Sequence, residues 1–120
     1  MLKSYRDLIV WQRSIDLVSE IYRLTEQFPQ TEIYGLTSQM RRAAVSIPSN
    51  IAEGYSRKSK NEYSQFIRIS FGSGAELETQ LVIAENLKFT SAEKSAKVKM
   101  LLGETMRMLN RLYFSLNPKP

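Results

Sequence analysis

Three features of the sequence predict an all-α fold, an antiparallel up-down-up-down four-helix bundle. Apolar residues return at steps of three and four along four separate stretches, which is the pattern of one buried helix face. A Ser or Thr followed three residues later by an acid precedes three of those stretches, as in helix capping boxes, and a proline follows two of them. No stretch alternates apolar and polar residues as a half-buried strand would, no Asn-Gly hairpin signal is present, and nothing repeats at solenoid length. The connections are short, so consecutive helices are expected to pack side by side and to reverse direction.

The first helix is expected over about residues 5–28. Leu8, Trp11, Ile15, Val18 and Tyr22 form one row, Leu17, Ile21, Leu24 and Phe28 its neighbour; Ser4 and Asp7 make a capping box, and Pro29 stops the pattern. Residues 29–34 are a turn. The second row is Leu36, Met40, Ala43, Ala44, Ile47, Ile51 and Tyr55. Pro48 interrupts it without changing its phase, which favours a kinked helix over a terminated one. Gly54 and the polar run 56–60 break the pattern, and Ser59 with Glu62 caps a third helix whose core row is Tyr63, Phe66/Ile67, Ser70, Gly74, Leu77, Leu81, Ala84 and Lys88. Gly72 and Gly74 each cost about 1 kcal/mol relative to Ala inside a helix, so a close approach by another helix is expected to offset them. Thr90 with Glu93 opens the fourth helix, with Val98, Leu101/Leu102, Thr105, Leu109, Leu112 and Leu116 inward and Pro118 at its end.

A chain of 120 residues with 42% apolar and 24% charged residues supports one core, and a single domain over residues 1–120 is expected. Cys and His are both absent, so disulfide scaffolds, zinc fingers, thiol nucleophiles and imidazole bases are excluded, and neither a metal site nor a cofactor is expected. The longest apolar runs are four residues, Leu8–Trp11 and Leu81–Ala84, against the roughly 20 that span a bilayer. With no apolar segment of signal-peptide type near the start, a cytoplasmic protein without membrane contact is expected.

The net charge of +5 is uneven. Residues 1–40 hold four basic and five acidic residues, 41–60 five and one, 61–93 two and five, and 94–120 six and one. Two segments therefore carry the basicity.

Residues 34–54, Tyr-Gly-Leu-Thr-Ser-Gln-Met-Arg-Arg-Ala-Ala-Val-Ser-Ile-Pro-Ser-Asn-Ile-Ala-Glu-Gly, resemble the signature of the four-helix-bundle proteins encoded within intervening sequences of bacterial 23S ribosomal RNA genes. Leu8-Ile-Val-Trp-Gln12, Phe28-Pro29 and the block from Gly72 to Glu78 agree, so the resemblance covers about residues 5–90, and residues 91–120 carry no matching motif. The resemblance implies a homopentameric ring. It also implies a link to an accessory protein of diversity-generating retroelements, which associates with a reverse transcriptase and binds nucleic acid through basic surface.

Two groups of residues are candidates for function. On the second helix Gln39, Arg42, Ser46, Ser49/Asn50 and Glu53 fall within about 100° of arc, roughly opposite the apolar row. Short Ser and Asn side chains between Ala43 and Ala52 suit a closely packed partner better than water, so Gln39, Arg42, Ser46, Asn50 and Glu53 are expected at a subunit interface. The other group is basic. Arg57, Lys58 and Lys60 precede a helix N-terminus, where unpaired N–H groups favour phosphate. Arg41 belongs to the same segment, and Lys97, Arg107 and Arg111 share a face of the last helix with Glu93 and Glu104, which are expected to offset them. Tyr55 and Tyr63 could stack on unpaired bases, but Tyr63 lies on the core row, so both are assigned to the core.

No catalytic constellation emerges. Ser91-Ala-Glu-Lys94 lacks the companion motifs of acyl-serine enzymes, and Glu76 and Glu78 point about 200° apart on a helix. The expected function is thus a non-enzymatic oligomer that binds RNA or DNA non-specifically through basic surface. The alternative is a ring-shaped adaptor for an enzyme partner, with no direct role toward nucleic acid.

Overall fold

The computed structural model describes residues 2–118. Four α-helices account for most of them: α1 Ile9–Thr25, α2 Leu36–Tyr55, α3 Lys60–Asn86 and α4 Ala96–Leu116, with short 3-10 turns at Tyr5–Asp7 and Gln30–Glu32. No strand occurs among the described residues. Contacts join α1 to α2, α2 to α3, α3 to α4 and α4 back to α1, with no diagonal contact, so the helices surround one core in a body 46 × 24 × 21 Å.

Side-chain pairs fix the helix directions. From α2 to α3, Gly54 faces Phe66 and Tyr63, the Ile47 carbonyl faces Ser70, and Ser46 faces Ser73. From α3 to α4, Arg68 meets Tyr113, Gly74 meets Met106, and Glu85 meets Lys99. From α1 to α4, Arg13 meets Glu104 and Glu20 meets Lys97. In each set one number rises as the other falls, as antiparallel neighbours require.

Leu17, Ile21, Met40, Ala44, Ile47, Ile51, Ile67, Leu77, Ala84 and Leu109 are fully buried, so the core follows the rows of three-and-four spacing except the first: on α1 the row Leu17, Ile21, Leu24 and Phe28 faces inward, whereas Leu8, Trp11 and Val18 are half-buried at its edge and Ile15 and Tyr22 are exposed. Several local expectations need correction. Ser4 and Asp7 do form a capping box, but on the 3-10 turn; Leu8 is extended, and α1 starts only at Ile9. Tyr5 packs edge-on against Trp11 at 5.3 Å and Gln12 Nε2 donates to the Arg6 carbonyl, which folds this turn back onto α1. α1 also ends at Thr25 rather than near residue 28, because its last turn tightens into Gln27 N–H to Leu24 and Phe28 N–H to Thr25 bonds.

α2 runs unbroken through the buried Pro48 and beyond Gly54 to Tyr55. Ser70 Oγ donates to the Ile47 carbonyl at 3.0 Å, tying α3 to α2 beside the proline. Lys88 is not a core residue. It is exposed, has φ 63°, and terminates α3 in a Schellman motif: its own N–H bonds the Glu85 carbonyl, and the Phe89 N–H bonds that of Ala84. The Thr90–Glu93 box does not form. Ser91 Oγ accepts from the Lys94 N–H instead, Thr90 Oγ1 is buried without a partner, and α4 begins only at Ala96. The two α3 glycines also differ: a Cβ on Gly74 would meet Met106 Sδ at 2.2 Å, whereas nothing lies within 4 Å of one on Gly72.

Candidate nucleic-acid interface

Antiparallel packing brings the α2–α3 loop, the start of α1 and the end of α4 to one end of the bundle. Cut at the helix midpoints, the half containing that loop holds, among the described residues, nine cations (Lys3, Arg6, Arg13, Arg57, Lys58, Lys60, Arg68, Arg107 and Arg111) against four carboxylates. The opposite half holds seven cations against eight carboxylates. Arg57, Lys58 and Lys60 of the first basic segment thus share one end with Arg107 and Arg111 of the second, while Arg41, Arg42, Lys94, Lys97 and Lys99 lie in the other half beside its acids, and the net positive charge is polarised along the bundle axis.

Within this half the cations differ in how far they are already engaged. Arg57 pairs with Glu53 at 3.0 Å, approaches Glu62 at 4.0 Å, and lies over the Phe66 ring at 4.9 Å. The N-terminus of α3 is also engaged: Ser59 Oγ accepts from the Glu62 N–H at 3.1 Å, and the Glu62 carboxylate stands in the first turn. The helix end expected to hold phosphate therefore already faces the chain's own acid. Lys58 and Lys60 remain, exposed and without a carboxylate in ion-pair range among the described residues. Tyr55 and Tyr63 pack edge-to-face at 6.0 Å, and burial, followed by the nearby Tyr55, pushes the Tyr63 hydroxyl up to about 12. These rings stabilise the corner between α2 and α3.

On α4 neither Glu93 nor Glu104 offsets any of the three basic residues among the described ion pairs. Lys97 pairs with Glu20 of α1 at 3.4 Å, whereas Glu104 is taken by Arg13 at 2.6 Å. Arg107 and Arg111 are exposed and, among the described ion pairs, have no partner. Arg41, in the opposite half, is spent on structure. Its Nε donates to Thr25 Oγ1 at 2.9 Å, its Nη2 reaches the Tyr22 carbonyl, and its guanidinium stacks on the Tyr22 ring at 4.5 Å, so it caps the C-terminal end of α1.

The family model described as 23S rRNA-intervening sequence protein matches residues 6–111. The chain belongs to this family. None of the curated proteins compared with the chain matches it. The family match runs through most of α4, beyond the residues whose motifs are legible by eye.

In this intervening-sequence family member, the signature segment builds the α2 surface. Gln39, Arg42 and Glu53 are exposed and Ser46 and Asn50 half-buried. The stripe is less opposite to the core than a helical wheel suggests, since Ser46 Oγ bonds Ser73 of α3 at 2.9 Å and Asn50 Nδ2 donates to Ser46. Gln39, Arg42 and Ser46, with Ser73 and Glu76, line a polar α2–α3 groove of about 370 Å³. Glu53 pairs within the chain, with Arg57. Next to this stripe Ile33 and Val45, both open to solvent, line a groove with Arg42 and Ser46, and Tyr34, in the turn before α2, is 95% exposed.

One basic residue escaped the sequence reading. Arg68, in the acidic segment 61–93, donates to Tyr113 Oη at 3.2 Å with its guanidinium 5.2 Å from the ring centroid, and lines an α3–α4 groove. Its placement depends on the register of α3 against α4, which spacing within one helix does not encode. No described helix is long and apolar enough to cross a membrane, and the described residues contain no cluster of acidic side chains able to hold a metal ion.

Proposed function

We propose that this protein is a non-enzymatic, self-associating cytoplasmic bundle that binds RNA or DNA electrostatically through its basic half. The observation that carries this reading is the polarised charge, nine cations against four carboxylates among the described residues of one half. Seven of those cations, Lys3, Arg6, Lys58, Lys60, Arg68, Arg107 and Arg111, have no acidic partner among the described ion pairs. Contacts made by such side chains go to phosphate and carry no sequence information, so recognition is loose and salt-dependent.

Self-association is supported by the α2 surface. Tyr34, Ile33 and Val45 leave apolar area open beside the short polar stripe from Gln39 to Glu53, which suits a covered face better than a free one. A homopentamer, as the resemblance implies, would present five copies of the basic half, and weak sites would add by avidity. The same apolar residues favour the second reading, an adaptor that docks a protein partner.

Fluorescence anisotropy with a labelled oligonucleotide across a salt series distinguishes the two. On the nucleic-acid reading, log affinity falls linearly with log salt, and changing Lys58 and Lys60 to Ala together flattens the slope by roughly 0.7–0.9 for each phosphate that the variant no longer neutralises. Absence of binding by the parent protein at low salt would transfer the case to the adaptor.

A further inference from the structure

The groove between α3 and the C-terminal half of α4 has a composition that the electrostatic reading does not use. It encloses about 320 Å³ and is lined by Phe71, Tyr113 and Phe114 together with Arg68, Asn110 and Gly72. Phe71 and Phe114 are 39% and 50% exposed, although both are large apolar side chains on well-formed helices. Gly72 leaves the space beside them open, since a Cβ there would meet nothing within 4 Å. A helix-weakening glycine that serves no packing contact, flanked by partly exposed rings, is unexplained by the fold itself.

The charge around the groove restricts what can occupy it. None of its lining residues is acidic. Arg68 is among them, and Arg107 and Arg111 lie two turns and one turn before Phe114 on the exposed side of α4, at spacings of seven and three residues. A second copy of the chain docked symmetrically here would bring two arginine clusters together without a carboxylate between them. A planar, apolar group attached to a negatively charged backbone matches both the aromatic lining and the cationic rim.

Resting on the proposed nucleic-acid reading, we infer that this groove accepts an unpaired base of single-stranded RNA or DNA. The base stacks against Phe114 and Phe71, the Asn110 amide is placed to meet a base edge, and Arg68, Arg107 and Arg111 follow the flanking phosphates. Bases in a duplex already stack on their neighbours and cannot offer a face to the rings, so the groove makes the protein prefer single strands.

The test uses the full chain with a short labelled single strand and the duplex of the same sequence, comparing the parent with Phe114→Ala and Phe114→Tyr, with light scattering on each variant. Phe114 is half exposed, so both variants are expected to fold. The parent should bind the single strand about tenfold more tightly than the duplex. Phe114→Ala should lose about tenfold on the single strand and nothing on the duplex, and Phe114→Tyr should retain single-strand affinity. If the parent binds both forms equally and Phe114→Ala changes neither, the groove inference is overturned while electrostatic binding stands. If the parent binds neither form at low salt, both readings fall. A change of oligomer mass in Phe114→Ala would make a second copy the occupant and overturn the inference as well.

Discussion

Gly54→Ala should destabilise the bundle while Gly72→Ala stabilises it, although both replace a helical glycine with the best helix former. Neither glycine has positive φ, so backbone strain does not enter. The intrinsic gain in each case is about 1 kcal/mol at most. At Gly54 a Cβ would lie 2.7 Å from the Phe66 Cβ and 3.2 Å from the Tyr63 carbonyl oxygen. Neither atom is the free end of a flexible side chain, so relief requires α3 to move away from α2. Overpacking of that kind costs typically about 1–3 kcal/mol, which outweighs the propensity gain and leaves a net loss of up to about 2 kcal/mol. At about 4 °C per kcal/mol for a domain of this size, Tm falls by up to about 8 °C. Gly72→Ala meets no atom and should gain about 0.5–1 kcal/mol, or about 2–4 °C. Thermal denaturation by circular dichroism at matched protein concentration measures both. A Gly54→Ala variant that melts at or above the parent would refute the close α2–α3 contact.

Other outcomes follow from the same geometry. Lys88→Gly should raise stability by about 0.5–1 kcal/mol in denaturant titration, because Lys88 holds a left-handed φ of 63° at the end of α3 where glycine is unstrained. The Glu85 carboxyl is held below the usual carboxylate range, first by the Lys99 hydrogen bond and then by that of Ser95; its contribution is present above the unfolded-state value of about 4.3 and lost as pH falls below it. Glu85→Gln should therefore flatten the acid limb of a Tm-against-pH curve, and an unchanged limb would contradict the assignment. Glu53→Ala breaks only a half-exposed pair with Arg57, so unfolding of the isolated subunit should shift by less than about 0.5 kcal/mol, and any loss of oligomer mass on a sizing column would come from contacts between copies.

The helices were legible because each core row needs only its own periodicity. Leu17, Ile21, Met40, Ile47 and Leu77 fall where steps of three and four place them, and all are fully buried. Helix ends were less legible, since each turned on competition among nearby caps: Ser91 rather than Thr90 accepts the Lys94 N–H, and Lys88 rather than a glycine adopts the left-handed turn. The candidate site was only partly legible. The basic segments were visible as runs of charge, but Arg57 is neutralised by Glu53 and Lys97 by Glu20, through one contact within a corner and one between helices. The meeting of Arg57, Lys58 and Lys60 with Arg107 and Arg111 at one end, and the placing of Arg68 against Tyr113, depend on packing between helices that no single helix records.

Charge reversal at opposite ends of the bundle tests the central claim, that location as well as sum of charge directs nucleic acid to one half. Lys58→Glu with Lys60→Glu alters the basic half, and Lys88→Glu with Lys94→Glu alters the other; each pair of reversals removes four charges, taking the chain from +5 to +1. All four lysines are exposed. Anisotropy titrations of the two variants at one low salt concentration should show binding abolished in the first and largely kept in the second. Equal loss in both would show that net charge alone governs binding and would contradict a polarised interface.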